Sequence, residues 1–78
     1  MALPISVVPA GEGWAVRSPA FENDMFFQGG AKAETTARRL ADQYARAGIA
    51  AEVSVFLRNG ALAGSFRHPA MALELTAA

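Results

Sequence analysis

EVSVFLRNGALAGSFR, residues 52–67, carries the strongest structural signal in the chain. Apolar and polar side chains alternate on both sides of Asn59-Gly60, as they do in two half-buried strands joined by a tight turn. Asn-Gly is the preferred pair for a two-residue hairpin loop, in which both central residues take positive φ. The segment therefore predicts a β-hairpin with Asn59 and Gly60 at its tip.

A two-residue loop determines which side chains share a face of this hairpin. The predicted cross-strand pairs are Arg58 with Ala61, Leu57 with Leu62, Val55 with Gly64, Val53 with Phe66, and Glu52 with Arg67. The face predicted to cover the core carries Val53, Val55, Leu57, Leu62 and Phe66. The opposite face carries Glu52, Ser54, Phe56, Arg58, Ser65 and Arg67. The opposed charges of Glu52 and Arg67 favour the same register.

A single helix is predicted from residue 31 to residue 47, because this stretch contains strong helix formers and neither glycine nor proline. Its apolar stripe consists of Ala33, Ala37, Leu40, Tyr44 and Ala47. No Ser, Thr, Asp or Asn stands at the expected amino-terminal cap. Gly48 followed by Ile49 is typical of a helix that ends with a glycine in the left-handed conformation.

Three further strands are predicted before the helix, at residues 5–8, 14–17 and 25–27, with residues 9–13 as the turn between the first two. The order β-β-β-α-β-β predicts a two-layer α+β domain, in which one helix packs on one face of a mainly antiparallel sheet. We interpret residues 1–78 as one domain with its core in residues 3–68. Residues 69–78 form a tail in which alternating Met71, Leu73 and Leu75 fit either a strand or a helix.

The composition excludes several classes of function. The 78 residues include no cysteine, one histidine, and seven basic against seven acidic side chains. Disulfides, thiolate metal sites and cysteine nucleophiles are thereby excluded. His68 without a Gly-x-Ser-x-Gly motif does not make a catalytic site, so we expect a non-enzymatic protein without metal or cofactor. The start of the chain has no basic segment or long apolar run, which predicts a cytoplasmic protein without a membrane partner.

Three motifs along residues 5–68 resemble those of a known family. They are Gly13-Trp14-Ala15-Val16, the helix positions Ala37, Leu40 and Ala41, and the hairpin tip Asn59-Gly60. Together they resemble short bacterial proteins grouped as a domain of unknown function. The chain departs from that family by a longer segment between its second and third strands, and by Ala33 in place of a threonine that often precedes the helix. The resemblance implies the same α+β fold and supplies no established activity.

The sheet face opposite the helix is the first candidate for function. One helix covers one face of a sheet, so the second face is left to solvent or to another chain. Phe56 is predicted on this second face, and Arg58, Ala61 and Ala63 are predicted beside it. We expect a non-catalytic interaction module that forms a homodimer through this face or through an edge strand, with residues 71–75 as a further contact region. The alternative is that a different protein binds to this face.

The helix supplies a second candidate, a nucleic-acid interface. Arg38, Arg39 and Arg46 are predicted on its outer face and could contact phosphates. Glu34 and Asp42 lie one turn away, at the spacing at which charges pair, which favours a solvated face. The aromatic side chains that could stack on bases are assigned to the core instead, namely Trp14, Phe21, Phe26, Phe27 and Phe66.

The start of the helix supplies a third candidate, a small-anion site. Gly29 and Gly30 follow a predicted strand and precede the helix, and Lys32 lies in its first turn. Free backbone N–H groups at a helix amino end attract anions. The alternative is that the two glycines only turn the chain into the helix, because no complete phosphate-binding motif is present.

Overall fold

The computed structural model describes residues 2–71, which form five strands and one helix. The elements are β1 (Leu3–Ala10), β2 (Gly13–Arg17), β3 (Met25–Phe27), α1 (Gly30–Arg46), β4 (Ala51–Phe56) and β5 (Leu62–His68). The strands form one sheet in the order β3-β2-β1-β4-β5. Only the β1–β4 pairing is parallel among these strands. The predicted α+β class and element order are confirmed, and the tail beyond Met71 lies outside the described residues.

The helix packs on the sheet through small side chains. Its buried residues recur at every fourth position and are all alanines, namely Ala33, Ala37, Ala41 and Ala45. Fully buried branched side chains from three strands lie in the same cluster, namely Ile5, Val7, Val16 and Val53. Leu40 and Tyr44, which were predicted in the apolar stripe, are partly buried and pack against this cluster. Ala47 is exposed, so its assignment to the apolar stripe was wrong.

Both ends of the helix follow the predicted chemistry. Gly29 precedes the first turn without a side-chain hydrogen bond to cap it. At the other end Gly48 has a φ of 89°. The Gly48 amide donates to the Ala45 carbonyl at 3.0 Å, and the Ile49 amide donates to the Tyr44 carbonyl at 2.8 Å. This is the predicted glycine stop, and it ends the helix at Arg46, one residue earlier than expected.

The turn between β1 and β2 is shorter than the sequence predicted. Pro9 and Ala10 belong to β1 and oppose Trp14 and Gly13, so only Gly11 and Glu12 remain unpaired. Gly11 takes a φ of 59°, which suits the first position of a two-residue hairpin turn. Both strands can therefore extend to the turn itself, and the predicted five-residue loop was wrong.

The tip of the β4–β5 hairpin also differs from the prediction. The Leu57 amide donates to the Ala61 carbonyl at 2.8 Å, so three residues form the loop rather than two. Gly60 takes positive φ and Asn59 does not. Instead, the Asn59 side-chain oxygen accepts a hydrogen bond from the Ala61 amide at 2.9 Å. This local bond holds Asn59 in a right-handed turn and leaves the left-handed position to Gly60 alone.

A bulge between Val55 and Phe56 compensates for the longer loop. The predicted pairs Val55–Gly64, Val53–Phe66 and Glu52–Arg67 are therefore confirmed. Closer to the tip the predicted pairs Leu57–Leu62 and Arg58–Ala61 are wrong, because Leu62 opposes Phe56. The shift of one residue moves Leu62 to the face opposite the helix. Leu57 was expected in the core and is 49% exposed.

Candidate interaction surface on the open sheet face

Strand alternation separates a helix-facing side of the sheet from a second side, here called the open face. Val7 and Val16 oppose each other and are buried under the helix. Their neighbours Val8 and Ala15 also oppose each other and point to the opposite side. Phe56 follows the helix-facing Val55 and lies on the open face as well.

One row of apolar side chains crosses the whole open face, here called the apolar row. In strand order from β3 to β5 it consists of Phe26, Ala15, Val8, Phe56 and Leu62. Val8 and Phe56 lie one residue beyond the paired Val7 and Val55, so they are neighbours in this row. Four strand spacings of about 4.8 Å give the row a length of about 19 Å.

The ends of the apolar row are its most exposed parts. Phe26 is 71% exposed and Leu62 is 57% exposed, and these are the highest values for large hydrophobic side chains within residues 2–71. Both belong to edge strands and have a neighbour on one side only. The assignment of Phe26 to the core was therefore wrong. The other four aromatic side chains predicted in the core, Trp14, Phe21, Phe27 and Phe66, do pack against the core cluster.

Polar side chains occupy the other half of the open face. Arg17 binds both carboxylate oxygens of Asp24, with a shortest distance of 2.8 Å from Nη2 to Oδ2. These hydrogen bonds lower the pKa of Asp24 below its ordinary value. Glu52 opposes Arg67 as predicted. Among the described residues Glu52 forms no ion pair with it. The Glu52 carboxylate accepts a hydrogen bond from the Ser65 hydroxyl at 2.9 Å.

Arg58 is not part of the open face, which corrects the prediction that placed it beside Phe56. Its guanidinium lies 4.8 Å from the centre of the Trp14 ring, on the side of the sheet where Trp14 packs against the core. Two of its nitrogens donate to the carbonyls of Gly11 and Glu12. Arg58 therefore joins the two hairpin tips and is occupied by contacts within the chain.

Ala61 and Ala63 complete the predicted partner surface. Both are exposed. Ala61 closes the hairpin loop, where its carbonyl accepts the hydrogen bond from the Leu57 amide. Ala63 is the extra residue of the bulge beside Leu62. Leu62, rather than either alanine, is the side chain that opposes Phe56.

Replacing Arg58 is expected to loosen the connection between the hairpin tips. Arg58→Ala removes a cation–π contact and two exposed hydrogen bonds, so it should lower the free energy of unfolding by about 1 kcal/mol. Urea denaturation followed by the fluorescence of Trp14, the only tryptophan, measures this change. Arg67→Ala, at another exposed arginine, should change it by less than about 0.5 kcal/mol. Equal effects of the two substitutions would contradict this role of Arg58.

The helix arginines make contacts within the chain that oppose a nucleic-acid interface. Arg46 forms an ion pair with Asp42 at 2.8 Å, and Arg38 pairs with Glu34 at 3.5 Å. Arg38 also lies 4.3 Å from the centre of the Phe66 ring, at the sheet-side margin of the helix rather than on its outer face. Arg39 is exposed and has no ion pair within residues 2–71. Of the three arginines, only Arg39 is without such a contact, so the helix offers little positive charge for binding phosphates.

The predicted anion site is a helix amino end that packs against an aromatic ring. A Cβ atom at Gly30 would lie 3.0 Å from the Trp14 indole, a tight contact, so glycine lets the helix start lie close to this ring. Gly29 has an extended backbone, and Lys32 is exposed. Within residues 2–71 no buried side-chain nitrogen or oxygen lacks a partner. The packing of Trp14 thus explains why a glycine stands at position 30, and no bound anion is needed to explain it.

Comparisons with family models, with curated proteins and with solved structures give no match for this chain. The resemblance to the family of unknown function stays a prediction. Within residues 2–71 no helix is long and apolar enough to cross a membrane. The same residues contain no group of three or more histidine or acidic side chains placed to hold a metal ion.

Proposed function

We propose that the protein is a non-catalytic interaction module that forms homodimers by packing one open face against another. The apolar row carries this proposal. It crosses all five strands, and its exposed ends Phe26 and Leu62 leave large hydrophobic surface in water. Ala15 within the row has no exposed surface, so the exposed apolar surface lies at Phe26 on one side and at Val8, Phe56 and Leu62 on the other. Exposed apolar surface of this kind on a small domain is typical of a binding site.

The size of the open face favours a weak dimer. Five strands spaced about 4.8 Å apart and about five residues long cover roughly 24 by 17 Å, or about 400 Å². Two such faces bury about 800 Å² together, which is below the roughly 1,200 Å² of standard stable interfaces. We therefore expect a concentration-dependent dimer with a dissociation constant in the micromolar range or weaker.

The edge strands are poorer sites for self-association. β3 contains three residues, and β5 carries the bulge at Ala63 and a charged residue, Arg67. Short strands, bulges and charges are the features by which proteins prevent edge-to-edge pairing. Face-to-face packing is therefore favoured over extension of the sheet.

Analytical ultracentrifugation from low micromolar to near-millimolar concentration tests the proposal. The unmodified protein should shift from monomer to dimer across this range. Phe26→Asp and Leu62→Asp should weaken the dimer strongly, because each places a charge in the apolar row at an exposed position that the fold tolerates. Leu57→Asp is the matched control, since Leu57 is also exposed but lies outside the open face.

The control variant should dimerise as the unmodified protein does. A protein that stays monomeric at every concentration would overturn the proposal. A loss of dimer in Leu57→Asp equal to that in Leu62→Asp would also overturn it.

A further inference from the structure

The tip of the β4–β5 hairpin carries an inference about chemical modification that goes beyond the proposed function. We propose that Asn59 is a site of spontaneous deamidation, at which the folded chain loses a side-chain amide and gains a carboxylate. The groups that take part are Asn59, the following Gly60, and the loop that the bond between Leu57 and Ala61 closes. Water is the co-reactant.

The reaction begins within the chain, with the backbone nitrogen of Gly60 as the nucleophile. This nitrogen gives its proton to water or hydroxide and attacks the side-chain carbonyl carbon of Asn59, so that a new C–N bond closes a five-membered imide ring. The side-chain nitrogen of Asn59 takes up a proton and leaves as ammonia when its own C–N bond breaks. Water then opens the imide at either of its two carbonyls. One opening gives aspartate at position 59, and the other gives isoaspartate, in which the main chain runs through the side-chain carbons.

The surroundings of Gly60 leave its nitrogen open to this reaction. Glycine after asparagine favours ring closure because it has no Cβ atom to shield the nucleophile. The fold adds no shield of its own, since a Cβ atom built at Gly60 would meet nothing within 4 Å. Asn59 and Gly60 are both exposed, so water reaches the imide once it has formed. The other asparagine of the chain, Asn23, is followed by Asp24, whose side chain hinders attack by its backbone nitrogen.

Two hydrogen bonds at the hairpin tip act on this reaction in opposite directions. The Ala61 amide donates to the side-chain oxygen of Asn59 at 2.9 Å. Negative charge develops on this oxygen when the nucleophile adds, and a donor already in place stabilises that charge. The Gly60 amide donates to the Leu57 carbonyl at 2.9 Å, and this bond must break before the nitrogen can attack. A backbone hydrogen bond has a small net free energy, so it slows the reaction by about tenfold or less and does not prevent it.

Incubation of the full chain in mildly alkaline buffer, followed by trypsin digestion and mass spectrometry, tests the proposal. Trypsin cuts after arginine and lysine, so Asn59 and Asn23 fall in separate peptides, residues 59–67 and residues 18–32. The 59–67 peptide should gain the mass difference between an amide and an acid, and ion exchange of the intact chain should show one added negative charge. The 18–32 peptide should keep its mass over the same time. A sample digested without incubation gives the baseline.

Asn59→Gln is the matched control, because glutamine keeps the amide but would have to close a six-membered ring, which forms far more slowly. Its 59–67 peptide should keep its mass. A parallel incubation of the natural chain in guanidinium chloride should convert Asn59 faster, by up to about tenfold, since unfolding removes the bond between Gly60 and Leu57. If the folded chain kept Asn59 intact while the unfolded chain was converted, the hairpin tip would protect this residue and the proposal would be wrong. Equal conversion of Asn23 and Asn59 in the folded chain would also overturn it.

Discussion

Gly13→Ala is expected to lower the free energy of unfolding by about 3 kcal/mol or more. A Cβ atom at this position would lie 2.4 Å from the carbonyl oxygen of Phe27. That oxygen belongs to the backbone, so it cannot move away as a side chain can, and β3 would have to separate from β2. Thermal unfolding followed by circular dichroism should show the midpoint roughly 15 °C lower, given about 4–8 °C per kcal/mol for a small domain.

Gly64→Ala is the matched control for Gly13, because both glycines lie in strands. A Cβ atom at Gly64 would meet only the Phe66 ring at 3.9 Å, an ordinary contact. We expect the free energy of unfolding to stay the same or to rise by about 0.5 kcal/mol, since alanine restricts the unfolded chain. If Gly13→Ala were as harmless as Gly64→Ala, the close approach of β3 to β2 would be wrong.

Ala37→Leu is expected to destabilise the protein by about 3 kcal/mol. Ala37 is fully buried where the alanine face of the helix lies against the sheet. A leucine there adds three carbon atoms to a packed contact, so the helix must move away from Ile5, Val7 and Val53 or force them from their rotamers. A domain of this size has only a few kcal/mol of stability, so much of the protein should unfold at physiological temperature.

Ala31→Leu is the matched control for Ala37, because Ala31 lies in the first turn of the same helix and is exposed. Leucine and alanine have similar helix propensities, so the free energy of unfolding should change by less than about 0.5 kcal/mol. Urea denaturation of both variants measures the difference. Similar effects at the two positions would mean that the alanine face does not set the distance between helix and sheet.

The secondary structure was largely predictable because its signals are local. Alternation in residues 52–67 and the run of helix formers up to Arg46 each depend on neighbours within a few residues. The order of strands was not predictable, because the parallel β1–β4 pairing joins segments more than forty residues apart and leaves no local pattern. The contact of Arg58 with Trp14 could not be predicted either, because these two residues are also far apart in the sequence.

The candidate surface was predictable only in part. Alternation placed Phe56 opposite the core, and the register agrees. Val8, Ala15, Phe26 and Leu62 were missed as members of the same surface. The side-chain hydrogen bond of Asn59 goes with a loop one residue longer than predicted. Leu62 therefore lies on the open face and not on the predicted core face. The only local signal for the exposure of Phe26 was that its predicted strand is short. A short strand is typical of a sheet edge, where a side chain on the open face has a neighbouring strand on one side only.

Nuclear magnetic resonance spectra recorded over a dilution series measure self-association residue by residue. On dilution from near-millimolar to micromolar concentration we expect chemical-shift changes at the apolar row, namely Val8, Ala15, Phe26, Phe56 and Leu62. The helix arginines Arg38, Arg39 and Arg46 should show none. Spectra that do not change with concentration, or changes confined to the helix, would contradict an open face that binds a second copy of the chain.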